Sequence, residues 1–109
     1  MNKTELKAEI ENLRFHRDML DIMYKSTDNL LLKKEIRVEI VETNKMIREL
    51  HNALLDFHVT EIKNAYPQAD AIYEDKIIAV IGELNFIHLH AKGKLQLCGC
   101  INGRRLYAL

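Results

Sequence analysis

The hydrophobic period of this chain changes at Pro67, and that change divides it into two differently built stretches. Upstream, Ile36, Ile40, Thr43, Ile47, Leu50, Leu54, Phe57 and Glu61 trace the alternating 4-3 spacing of a helix seam. An earlier seam reads Leu6, Ile10, Leu13, Arg17, Leu20, Tyr24, with Phe15, Met19 and Met23 widening the apolar surface on a neighbouring flank. Asn2 and Glu5 stand at the spacing of a capping box, so the first helix is expected to start there. Ser26-Thr27-Asp28-Asn29 is a cluster of turn and cap formers that stops it near Lys25 and starts a second helix. The second helix runs without Gly or Pro to about Asn64, because Tyr66 precedes a proline and is biased away from the helical region.

Such a helix is roughly 50 Å long at ~1.5 Å per residue. A domain of this size has a radius of gyration of only about 13 Å. The helix outruns the globule its own chain builds, and a homodimer or higher homo-oligomer is the expected source of the missing cover.

Downstream of Pro67 the apolar runs are short and punctuated by Gly82, Gly93, Gly99 and Gly103, which reads as strands and turns. Strands are expected at 71–74, 76–81, 85–90, 94–98 and 104–107. Lys76-Ile77-Ile78-Ala79-Val80-Ile81 is apolar on both parities and is expected to be a central strand covered on both faces. A hairpin from Asn85 to Cys98 is expected to turn at Ala91-Lys92-Gly93. The fold class is therefore α+β in a single domain: an N-terminal helical hairpin with a long second helix (1–66), then a small antiparallel β-meander (67–109).

Sixteen basic and sixteen acidic residues cancel, so no basic excess marks a duplex-DNA binder. No apolar run approaches the ~20 residues that span a bilayer. The first residues lead into charged helix without a signal-type apolar core, so a cytoplasmic protein is expected. Cys98 and Cys100, one residue apart, make a strained disulfide partner for each other and are expected to be reduced.

Chemistry is confined to weak signals. His88-x-His90 and Cys98-x-Cys100 offer four zinc-type ligands, but the expected hairpin register holds them about 7–8 Å or more apart, and tetrahedral zinc needs its donors within ~2.0–2.3 Å of one point. No metal and no cofactor are expected. Ser26 is the only serine, and Cys98 or Cys100 with His88 has no protease-like flanks, so no enzyme is expected.

Arg104 and Arg105 are the better signal. On a strand they point to opposite faces, and each guanidinium suits phosphate, while Asn102-Gly103 offers backbone amides. The mixed face of the expected hairpin carries Phe86, His88, His90, Lys94, Gln96 and Cys98. The candidate ligand-binding set is Phe86, His88, Gln96, Arg104, Arg105 and Tyr107. The competing reading gives the arginines the plain task of solvating an edge strand.

This outline resembles the phage anti-Thoeris proteins that act as sponges for cyclic ADP-ribose-type signals. The likeness rests on a short chain with N-terminal helices, a small C-terminal sheet, expected homo-oligomeric assembly, and the late arginines Arg104 and Arg105, with Phe86 as a stacking ring. It implies a non-enzymatic oligomer that sequesters a small phosphorylated or nucleotide-type signal ligand; the balanced charge and short apolar runs give the expectation of neither duplex nucleic acid nor membrane as a partner. The alternative is a protein–protein interaction module, an adaptor or inhibitor docking through its helices or sheet edge.

Overall fold

The structure is a computed structural model describing residues 1–109. Its elements in chain order are α1 (Lys3–Ser26), α2 (Leu30–Ala65), β1 (Ile72–Tyr73), α3 (Glu74–Ile81), α4 (Glu83–Ala91), β2 (Gln96–Ile101) and β3 (Arg104–Ala108). The architecture is α+β: two long helices, two short ones and a three-stranded antiparallel sheet in the order β1-β3-β2. The chain forms two compact units, residues 1–54 and 55–109.

The first unit is the helical hairpin that the seams require. Asn2 caps α1: its Oδ1 accepts from the Glu5 amide at 2.8 Å and its Nδ2 donates to the Glu5 carboxylate at 3.0 Å. Asn29 caps α2, its Oδ1 accepting from the amides of Leu31 and Leu32. The helices run antiparallel, because partners on α2 climb as those on α1 descend. Tyr24 meets Arg37, Arg17 meets Asn44, and Arg14 meets His51. Leu6, Ile10 and Leu20 are buried on α1, and Ile36, Thr43 and Ile47 on α2, as expected of the seams this far; beyond Ile47 the buried residues of α2 are Leu55, His58 and Ile62, each one position after the expected Leu54, Phe57 and Glu61. Thr43 tolerates burial by donating its hydroxyl to the Glu39 carbonyl.

The second unit corrects two expected strands. Residues 76–81 lie in α3, with Ile77 and Ile81 one turn apart and both buried. Glu74 and Asp75 fill the first turn, where the helix dipole favours negative charge, and Gly82 ends the helix at φ +87°, a conformation that side-chain-bearing residues avoid. Residues 85–90 lie in α4, not in a hairpin strand. Leu89 is completely buried while Ile87 is 51 % exposed, although a strand would put both on one face. Gly93 does adopt the left-handed conformation expected of it, in a different role. Lys94 N donates to Leu89 O and Gly93 N to His90 O, the paired bonds that close a helix C-terminus.

The hairpin that does form joins β2 to β3. Ile101 pairs with Arg104 across Asn102-Gly103, both central residues having positive φ (53° and 78°), the two-residue turn that matches strand twist. A bulge between Leu97 and Gly99 interrupts the register. The core of this unit gathers Leu55 and Ile62 from α2, Ile72 from β1, Ile77 and Ile81 from α3, Phe86 and Leu89 from α4, Leu95, and Tyr107 from β3.

Candidate functional site

The six candidate residues distribute over three elements, and the open mixed face expected of them is absent. Phe86 on α4 and Tyr107 on β3 are core residues, their rings edge-to-face at 5.3 Å and 76°. Neither therefore offers a free face to a base, which corrects the expectation of Phe86 as a stacking ring. His90 meets the pair from the surface, 5.7 Å from Tyr107 and 6.3 Å from Phe86. His88 is exposed on α4, where two residues subtend about 200° and turn it away from His90. Gln96 is exposed at the start of β2, opposite Ala108.

Arg104 and Arg105 point to opposite faces of β3, as consecutive strand residues must. Arg104 is already engaged. One guanidinium nitrogen lies 2.8 Å from both oxygens of Asp75, and the guanidinium carbon stands 3.8 Å from the centroid of the Tyr73 ring. Register explains the contact: Tyr73 pairs with Leu106, and Arg104 is two residues further along the same face. Arg105, opposite Cys100, makes no ion pair and is the arginine with a free fork.

The Arg104 hydrogen bond holds the Asp75 carboxyl below its ordinary value of 3.8. A depressed carboxylate adds stability above the unfolded-chain value and loses it as the pH falls through the lower native value. Because the pair is solvent-exposed, water screens it and the gain is small. In a carboxyl-carbon NMR titration Asp75 is expected to have a midpoint below 3.8 that returns toward 3.8 in Arg104→Ala. A midpoint unmoved by that substitution would remove Arg104 as its cause.

A concave cleft of about 480 Å³ opens in the second unit, lined by Lys63, Tyr66, Asp70, Ile72 and Tyr107 among others. Of the candidate set it takes in Tyr107 alone. Lys63 is its one basic residue and Asp70 accompanies it, so no excess of positive charge favours an anion.

The catalytic and metal signals do not converge. Ser26 donates its hydroxyl to the Ile22 carbonyl, and Cys98 directs its thiol at the Gln96 carbonyl. Both cysteines are exposed free thiols on β2, whereas His88 and His90 belong to α4. No group of three or more His, Cys, Asp or Glu side chains is placed to hold a metal ion. No helix is long and apolar enough to cross a membrane. His58 is buried on α2 with its Nδ1 3.2 Å from Glu61.

The hairpin carries the most unusual surface. In residues 1–54, eleven large apolar side chains are exposed and five are buried, whereas residues 55–109 bury nine and expose five. On α1 the exposed set includes Phe15 at 69 %, Met19, and Ile22 at 58 %, spaced i, i+4, i+7. At 100° per residue Phe15 lies directly opposite Leu6, so α1 has a second apolar stripe on the face turned away from α2. Met19 was legible as part of a widened flank; that Ile22 continues it is clear only once the buried seam is fixed. Tyr73 and Asp75, the partners of Arg104, were missed because Tyr73 reaches it only through the pairing of β1 with β3, and Asp75 only through α3, which starts where a strand boundary was expected.

Comparison with protein-family models, with curated proteins and with solved structures returns no match to this chain.

Proposed function

We propose that the chain is a non-enzymatic, cytoplasmic binding protein that assembles with copies of itself through the outer face of α1 and sequesters a small phosphorylated or nucleotide-type ligand. The observation that carries the reading is the excess of exposed over buried apolar side chains in the hairpin. Two helices alone bury one stripe each, and a stable layer architecture needs a second layer on the other. A fully buried large apolar side chain corresponds to about 60–120 Å² at ~25 cal/mol per Å². Four of the eleven, Phe15, Met19, Ile22 and Met23, lie on α1 and supply on the order of 200 Å² of apolar surface per chain, the apolar centre of an interface to which each partner contributes ~800 Å².

A second copy is the favoured occupant because the stripe is self-complementary. Apolar residues at helical spacing, flanked by Glu11 and Asp18 on one side and His16 on the other, pair across a two-fold axis without needing an opposite-charged partner. The sponge-like resemblance enters here as part of the same proposal: an oligomer without assembled catalytic groups is suited to holding a signal molecule.

The binding half is tested on protein purified without added nucleotide. Nucleotide ultraviolet absorbance that copurifies with the protein, or a rise in Tm on adding nucleotides, is the expected result. Protein free of such absorbance, with a Tm indifferent to phosphorylated compounds, would leave a self-assembling module without this cargo.

A further inference from the structure

We infer that Tyr24, Lys33, Lys34 and Arg37 form a binding site for a phosphate monoester group, and the inference rests on the phosphorylated-ligand reading above. Tyr24 comes from the last turns of α1, and the three cations come from the first turns of α2. All four residues belong to the compact unit of residues 1–54. Together with Leu30 they line a pocket of about 200 Å³.

The side chains are already organised around the ring. Arg37 donates to the Tyr24 hydroxyl at 2.8 Å, its guanidinium carbon standing 5.7 Å from the ring centroid, and the Lys33 ammonium lies 5.0 Å from that centroid. None of the three cations forms an ion pair with a carboxylate, whereas both arginines of α1 do, Arg14 with Glu11 at 3.1 Å and Arg17 with Asp18 at 3.6 Å.

The placement runs against local electrostatics. A helix N-terminus carries partial positive charge and favours acidic side chains; Asp28 precedes the cap, but α2 has no acidic residue in its first turn and sets three cations against the single carboxylate of Glu35 in its first two turns. Their mutual repulsion adds to that cost. Where a chain breaks such a rule without an internal partner, an external anion is the natural compensation. The helix amides are not the recognition element, because Asn29 already accepts from those of Leu31 and Leu32.

The chemistry selects the anion. A phosphate monoester carries about −1.5 to −2 charge and three acceptor oxygens. Two ammonium groups and a guanidinium fork supply enough donors and charge to answer all three oxygens, more than a single carboxylate requires. The pocket is below the ~300–1,000 Å³ that encloses a whole drug-sized ligand, so it takes the phosphoryl group and leaves the remainder of the molecule outside.

A free phosphate ester and a lipid headgroup present the same group, and titration calorimetry with two probes separates them. The first probe is adenosine 5′-monophosphate, the second phosphatidylcholine vesicles doped with phosphatidic acid. Each is titrated into wild type, Lys33→Gln, Arg37→Gln and Arg105→Gln. The substituted positions do not belong to the apolar core, and unchanged circular dichroism verifies the fold of each variant. The expected result is nucleotide binding that weakens roughly ten- to a hundredfold in Lys33→Gln and in Arg37→Gln, and weakens as salt is raised. Vesicle binding lost in the same two variants, with no nucleotide binding, would uphold the pocket and overturn the small-ligand reading. Nucleotide binding lost in Arg105→Gln and retained in the α2 variants would overturn the pocket and uphold the small-ligand reading. Binding of neither probe by wild type overturns the pocket.

Discussion

Leu89→Ala is expected to destabilise the protein by about 2–5 kcal/mol, while Ile87→Ala, two residues away, changes stability by about 0.5 kcal/mol or less. Leu89 is completely buried in the core of the second unit, and its truncation removes transfer energy and leaves a cavity. Ile87 is 51 % exposed on the outer side of α4. The asymmetry is specific to a helix: on a strand the two residues share a face, and both truncations would cost alike. In thermal denaturation the Leu89 variant is expected to lose on the order of 10 °C or more, at about 4–8 °C per kcal/mol for a domain of this size. Equal losses for the two variants would restore a strand at 85–90.

Phe15→Glu combined with Ile22→Glu is expected to abolish self-association while leaving the helices intact. Both positions are exposed in the isolated chain, and glutamate is a good helix former, so far-UV circular dichroism is expected to be unchanged. In a two-fold interface each residue is buried twice. At about 1.5–3 kcal/mol per buried side chain, the double substitution forfeits roughly 6–12 kcal/mol of association energy. A loss of that size raises the dimer Kd by about four orders of magnitude or more. If the double variant keeps the wild-type mass, the outer face of α1 is not the interface.

The N-terminal half was legible because each of its signals is local and mutually consistent. Asn2 with Glu5, the Ser26–Asn29 cluster, the two seams and Tyr66-Pro67 all point to the same pair of helices, and the structure places α1 and α2 within a residue or two of the expected ends. The stretch from Lys76 to His90 was not legible in the same way. Over six to eight apolar residues, periods of 2 and 3.6 fit almost equally well, and what decides between them is which side chains find the core. Ile77, Ile81, Phe86 and Leu89 converge there with Leu55 and Ile62 from α2, a meeting fixed by long-range contact.

The candidate site divides along the same line. That Arg104 and Arg105 face opposite ways follows from strand geometry and needs no tertiary information. That Asp75 occupies Arg104, and that Phe86 and Tyr107 are buried against each other, depends on α3 and α4 being helices, while Tyr73 reaches Arg104 through the pairing of β1 with β3. The Tyr24 pocket was written in the sequence only as Lys33-Lys34 followed by Arg37 at one helical turn. Its significance emerges when the hairpin register sets Tyr24 beside them.

The central claim is that this chain covers its hairpin with copies of itself, and sedimentation equilibrium of the wild-type protein over a micromolar concentration series tests it most directly. The predicted result is a mass of at least twice the 12.7 kDa of one chain, holding across the series. A mass of 12.7 kDa at every concentration would contradict it.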